Sequence, residues 1–364
     1  MLLLPLPYSP SAFSLTMKTE HLLVIRFSAL GDVAMTVPVV YALARQYPHV
    51  RITMLSRPFA RPFFEHLAPN VSFMAADIHR EYQGIRGLNA LYRRLSAKHF
   101  TAIADLHNVL RSNYLRMRFN VDRCRVAHLD KHRQARRALT STHHKVLQPL
   151  PTAFESYARV FRELGYPVRP EFSTLLQPEQ SSLRQLPAVI GEKRPFQQWI
   201  GVAPFAAHRG KAYPVALMEQ VLQQLLQRHP SCRIFFFGAG AREHEVIDAL
   251  AARHPHCTNA SAVLGGLAQE LVLMSHLDVM VSMDSANMHL ASLVGTPVVS
   301  VWGATHPYAG FMGWGQRPEN AVQTALPCRP CSVFGNKPCH RGDYACLASI
   351  DPQTIAERVE QNLK

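Results

Sequence analysis

Four places in the chain set reactive or ligand-binding side chains where an apolar run stops and a helix begins. The first is VIRFSALGDVAMTVP, in which Arg26 leaves a strand-like run, Ser28, Ala29 and Gly31 make a small-residue turn, and Asp32 opens a helix. A carboxylate there can cap the helix, or act as a general base that takes the proton of a hydroxyl as its oxygen attacks an electrophilic carbon. The second, APFAAHRGKAYP, presents Lys211 in a loop ahead of Pro214, a favourable first-turn residue. Its compact ammonium suits a diphosphate. The third, FFFGAGAREHEV, lacks the full spacing of a dinucleotide-binding turn and brings Glu243 and Glu245 to a helix start, where acidic residues are at home. The fourth begins MDSANMHLASLVG and crowds Asp284, Ser285, Ala286 and Asn287 around a helix N-terminus, with His289 in the first turn. The unpaired N–H groups and dipole of such a terminus receive phosphate oxygens; the ordinary alternative is a helix capped by Ser285 with His289 packed in the core.

Two further clusters carry charge or soft ligands. In ADLHNVLRSNYLRMRF a strand ends at Asp105, a second candidate base, and sends Arg111, Ser112, Arg116 and Arg118 into a helix. With Arg57, Arg61 and the Lys131–Arg137 stretch, these arginines could form a basic surface for a phosphorylated ligand or a membrane, though solvated helix faces explain many of them equally well. Four of the seven cysteines, Cys328, Cys331, Cys339 and Cys346, share one late loop. They offer a structural zinc ion its ligands, but the second pair lacks the close Cys-x-x-Cys spacing, which favours plain thiols.

The elements that must position these residues repeat in two halves. From residue 21 strand-like runs alternate with helix-period segments: LLVIRF, 33–47, RITMLS, 58–68, VSFMAA, 88–98, FTAIADL, 109–119 and RVAHL. A helix at 152–164 and a polar, proline-bearing stretch from Gly165 to Pro195 follow, and then the alternation restarts at WIGVAPFA and runs to PVVSVWG. The fold class is therefore α/β, with two Rossmann-like lobes facing across a cleft lined by strand-end loops. The expected division is a 1–16 extension or misassigned start, an N-terminal lobe over 17–180, a linker over 181–198, a second lobe over 199–350 carrying the cysteine loop 328–346, and a closing helix over 351–364. A formal charge of +14 points to an anionic partner, and no apolar run is long enough to span a bilayer.

Three of the strings resemble motifs of glycosyltransferase family 9, the ADP-heptose:lipopolysaccharide heptosyltransferases: R-x-S-A-x-G-D-V-x-x-T-x-P at Arg26–Pro38, G-x-A-P-x-A leading to K-x-Y-P at Lys211–Pro214, and D-S-x-x-x-H-L-A-x-x-x-G-x-P from Asp284. Many members carry Gly-Pro where this chain has Ala286-Asn287. The resemblance begins near Met17, covers nearly the whole remaining chain, and is looser in the acceptor half. It implies a two-lobed GT-B enzyme that moves heptose from ADP-heptose to a lipopolysaccharide core with inversion, needing no cofactor. The absence of any Asp-x-Asp pair is consistent with transfer without a catalytic metal. By the same resemblance Asp32 is the base, Lys211 and Ser285 to His289 hold the donor diphosphate, and Glu243 or Glu245 contacts the donor ribose. Arg57, Arg111 and Ser112 face a lipid-linked phosphorylated glycan, and the enzyme is cytoplasmic, peripheral on the inner membrane face. The rivals are a nucleotide-sugar epimerase or hydrolase on the same scaffold, a silent homologue, and a nucleic-acid-binding protein, the last without any recognisable binding module.

Overall fold

Strands that are covered on both faces read as unbroken apolar runs, and the structure, a computed structural model that describes residues 20–363, buries them accordingly. In the N-terminal lobe β1 (His21–Ile25), β2 (Arg51–Ser56), β3 (Val71–Ala75), β4 (Ala102–Asp105) and β5 (Arg125–His128) form a parallel sheet in the order β3-β2-β1-β4-β5. In the second lobe β6 (Trp199–Ala203), β7 (Arg233–Phe236), β8 (Cys257–Asn259), β9 (Val279–Met283), β10 (Val298–Trp302) and β11 (Ala321–Gln323) form another, in the order β11-β10-β9-β6-β7-β8. The chain reverses its direction of winding between β1 and β4 in the first sheet and between β6 and β9 in the second, which opens a crevice at those strand ends. All four principal candidate motifs follow β1, β6, β7 or β9.

Every expected strand is present; the short β11 is an addition. The helix expected over 33–47 is two, Leu30–Ala34 and Val37–Gln46, and that over 58–68 shrinks to a 3₁₀ turn followed by Arg61–Phe64. Pro38 and Pro62 sit at helix starts, where their missing N–H costs nothing. The basic stretch after Lys131 is a helix, Arg133–Leu139, which its scarcity of apolar residues had hidden. Residues 165–195 hold only two 3₁₀ turns, and the closing helix is Pro352–Glu360, packed on Val215–Arg228. The proposed 1–16 extension lies outside the described residues.

The lobes meet through two short helices. Leu30–Ala34 packs against Ala286–Leu293, and a Cβ on Gly31 would fall 2.7 Å from His289 Cδ2 and 3.3 Å from Ala286 Cα. Only glycine permits that approach. Beneath it, Ala153–Glu163 begins with a reciprocal cap: Glu155 N–H donates to Thr152 Oγ1 at 3.1 Å, and Thr152 N–H to Glu155 Oε2 at 2.7 Å. This fixed start brings Tyr157 under the first-lobe turn.

Candidate active site

Arg26 leaves the buried end of β1, where an unpaired guanidinium would be expensive, and each of its nitrogens finds a partner. Nε donates to the Ser28 carbonyl at 2.9 Å, Nη1 to the Leu106 carbonyl at 2.6 Å, and Nη2 stands 2.6 Å from Asp32 Oδ2. The same carboxylate oxygen accepts the Ala29 N–H at 3.2 Å. Asp32 therefore caps its helix and also faces the cleft, its side chain 31% exposed. Burial pushes its pKa up, but the Arg26 charge and the hydrogen bonds outweigh burial and hold it below the ordinary 3.8. From below, Tyr157 donates its hydroxyl to the Asp32 carbonyl at 3.3 Å, and burial lifts that phenol to about 12.

The second candidate base has no such freedom. Asp105 is fully buried, accepts the N–H groups of His107 at 3.0 Å and Asn108 at 2.8 Å, and pairs with Arg116 at 3.5 Å. It shapes the loop after β4 and does not face the cleft. That loop instead delivers His107, whose Nδ1 accepts the Phe27 N–H at 3.4 Å and whose Nε2 lies 3.4 Å from Ser28 Oγ. Burial first, and the Arg26 and Lys131 charges after it, push this imidazole down to about 3, so it is neutral. Sequence reasoning gave His107 no role; its position two residues beyond a strand end was the available signal.

Across the cleft, Lys211 Nζ stands 3.1 Å from Asp284 Oδ2, with the lysine side chain 17% exposed and the aspartate 6%. The ion pair aims the ammonium. Ser285 does not cap its helix: its hydroxyl lies 3.2 Å from Ser282 Oγ, so no side chain occupies the N–H groups that open Ala286–Leu293. His289 is buried with Nδ1 unpartnered, and burial outweighs the pull of Asp284 and Asp32 to bring it down to about 4. Glu243 lines the cleft while its Oε2 accepts the Ala239 N–H at 2.8 Å; Glu245 is exposed and lies outside the lining.

These residues line two hollows. One, of about 460 Å³, takes in Lys211, Glu243, Asp284, Ser285, Ala286, Asn287 and His289; the other, of about 450 Å³, takes in Arg26, His107, Lys131, Arg133, Arg136, Arg137 and Tyr157. Both include Asp32, together with Ala29, Phe311 and Phe334. A group bound in either hollow meets the same carboxylate. Arg136 closes the seam between lobes, its guanidinium carbon 5.0 Å from the centre of the Phe311 ring and 5.7 Å from that of Phe334.

The basic wall is only partly the one expected: the Lys131–Arg137 stretch supplies it, while the other candidates stand elsewhere. Arg57 lies 5.4 Å over the Phe59 ring, Ser112 Oγ is occupied by the Val109 N–H and carbonyl at 3.0 Å each, and Arg111 is exposed beyond the lining. None of the three lines either hollow. The late cysteines also fall short of a zinc site. Cys346 sits on the short helix Ala345–Ala348 in the second-lobe core, its thiol raised by burial to about 11, while Cys331 Sγ lies 3.9 Å from the Ala304 carbonyl. Among the described residues no three His, Cys, Asp or Glu side chains gather as metal ligands, and all seven cysteines are unpaired.

Two parallel sheets, each open at its switch point toward a shared cleft, with a carboxylate on one side and a lysine and a bare helix start on the other, define a GT-B glycosyltransferase. The chain belongs to glycosyltransferase family 9 (heptosyltransferase), whose family model matches residues 88–339. It is 24% identical over 370 aligned positions to the lipopolysaccharide heptosyltransferase 1 of Pseudomonas aeruginosa, covering 94% of this chain and 98% of that protein. The solved family 9 glycosyltransferase of Veillonella parvula superposes with a TM-score of 0.70 at 18% identity, covering 94% of this chain and 97% of the other. The Escherichia coli heptosyltransferase WaaC, solved with ADP, superposes at 0.63 with 17% identity, covering 94% and 99%. Among the described residues no helix is long and apolar enough to cross a membrane.

Proposed function

We propose that this glycosyltransferase moves heptose from ADP-heptose onto a lipopolysaccharide core or related lipid-linked glycan, with inversion and without a catalytic metal. The observation that carries the reading is that one carboxylate, Asp32, is shared by two hollows that each offer positive charge. The hollow with Lys211 and the helix start at Ser285 suits a nucleoside diphosphate; the one with Lys131, Arg133, Arg136 and Arg137 suits a phosphorylated or carboxylated acceptor sugar. Asp32, ionised at neutral pH, takes the acceptor hydroxyl's proton as that oxygen attacks the anomeric carbon from the face opposite the diphosphate. Lys211 and the N–H groups of Ala286–Leu293 receive the charge that develops on the leaving group. Glu243, on the lining, is the better placed of the two glutamates for the donor ribose.

On this reading 17–180 is the acceptor lobe, 199–350 the donor lobe, 181–198 the linker and 351–364 the closing element, and the enzyme works at the cytoplasmic face of the inner membrane. The relative's name supplies the lipopolysaccharide acceptor, and the ADP in the E. coli structure supports the donor base.

Thermal melts with ADP, UDP, GDP and CDP, followed by product analysis with ADP-heptose, test it. Selective stabilisation by ADP is expected. In Asp32→Asn the stabilisation persists while kcat falls by about 10²–10⁴. Transfer at the wild-type rate in that variant, or no response to any diphosphate, would refute the assignment.

A further inference from the structure

The helices Gly84–Ser96 and Leu110–Val121 lie side by side on the N-terminal lobe, latched by Asn89, whose Oδ1 accepts from Tyr114 at 2.6 Å and Arg118 at 2.7 Å. Their outer surface is unusual in two ways. Ile85, Leu110, Met117 and Val121 stand 69%, 86%, 63% and 79% exposed, and the last three recur at i, i+7 and i+11, on one helical face. The two helices also carry six arginines and no carboxylate. Arg116 is paired with Asp105 and Arg118 with Asn89, but Arg86 and Arg93 are exposed.

We propose that this face docks the protein on an anionic lipid bilayer, with the apolar side chains entering the headgroup region and the arginines meeting lipid phosphates. Single apolar side chains interspersed with cations match an interface of negative charge over hydrocarbon. The patch adjoins the cleft, since Val109, the residue before Leu110, lines the hollow that holds Asp32. A bilayer at this face presents a lipid-borne sugar at the mouth of the acceptor side. The proposal deepens the functional reading and rests on its lipid-linked acceptor.

The test is flotation of the full-length protein with vesicles of phosphatidylethanolamine and phosphatidylglycerol, against phosphatidylcholine alone. Wild type should partition onto the anionic vesicles and release with added salt. The L110S/M117S/V121S variant should bind about tenfold more weakly or worse, and R86Q/R93Q should lose about fivefold per arginine. All five substitutions are at exposed positions, and unchanged melting temperatures are the control for folding. Transfer to a water-soluble, deacylated acceptor should be unaffected in the apolar variant, while transfer to a vesicle-borne acceptor falls. Undiminished vesicle binding by the apolar variant overturns the proposal, as does equal binding to both lipids. Self-association that the apolar variant abolishes would assign the face to a second copy instead. Vesicle binding by a protein that no nucleoside diphosphate stabilises would uphold this surface and overturn the transfer reading, so the two fail separately.

Discussion

Replacing Arg26 tests the proposed role of Asp32 as base apart from its role as structural anchor. In the wild type the guanidinium, 2.6 Å from Asp32 Oδ2, helps keep that carboxylate ionised well into the acid range. An opposite charge this close lowers a carboxyl pKa by about 1–3 units. With Arg26→Gln the burial that pushes Asp32 upward is opposed mainly by the Ala29 N–H, and the pKa rises. The acid limb of kcat/KM, which reports the free enzyme's essential base, should therefore lie at higher pH in the variant than in the wild type. The variant also strands the Ser28 and Leu106 carbonyls, so a stability loss of about 3–5 kcal/mol accompanies the shift. Arg26→Lys, which keeps the charge but not the fork, should leave the limb near its wild-type position. An Arg26→Gln enzyme that is folded and active with an unmoved acid limb would refute Asp32 as the base.

Other perturbations follow from the same contacts. Gly31→Ala drives a methyl into His289 and the Ala286 backbone, and should lower stability by about 1–3 kcal/mol and weaken diphosphate binding, measured by denaturant melts and nucleotide titration. Lys211→Ala leaves Asp284 buried without its partner, costing about 3–5 kcal/mol and abolishing stabilisation by diphosphate; Lys211→Gln, which can still donate to Asp284, should regain part of the stability but not the binding. His289 titrates near 6.5 when unfolded but near 4 when folded, so between those values the unfolded chain binds the extra proton. Stability should fall as pH drops through that window, by about 1.4 kcal/mol per unit for this residue. His289→Gln should flatten the decline seen in pH-dependent melts.

The strands were legible because each is a short run of buried aliphatic residues, and the switch-point rule then pointed to Asp32, Lys211, the Glu243 and Glu245 pair and the Asp284–His289 segment. What escaped was the form of the basic wall, whose Lys131–Arg137 stretch the sequence did single out. Arg133, Arg136 and Arg137 sit on a helix that His132 starts with φ of 47°, a conformation no propensity scale anticipates, and whose outer face is solvated; Lys131 stands just ahead of it. Arg57, Arg111 and Ser112 were plausible by residue type, but type does not say which side of a helix faces the cleft. Asp105 was misjudged for the same reason: a carboxylate at a strand end can turn inward to hold its own loop. The cysteine spacing was ambiguous because Cys346 is recruited into an apolar core, a tertiary outcome that spacing does not encode.

The two lobes use one device with opposite polarity. Each ends its first strand near a carboxylate–cation pair, at 2.6 Å for Asp32 with Arg26 and 3.1 Å for Asp284 with Lys211. In the first pair the cation is the buried member, with side-chain exposures of 8% for Arg26 and 31% for Asp32; in the second it is the carboxylate, at 6% for Asp284 against 17% for Lys211. The member left open to the cleft is thus an anion on one wall and a cation on the other. On the proposed transfer, an ionised base and a phosphate receptor face each other across the reacting carbon, where two bare opposite charges would collapse onto one another. Tethering each to its own buried counter-ion keeps them apart, which makes Arg26 and Asp284 as necessary to the geometry as the residues they hold.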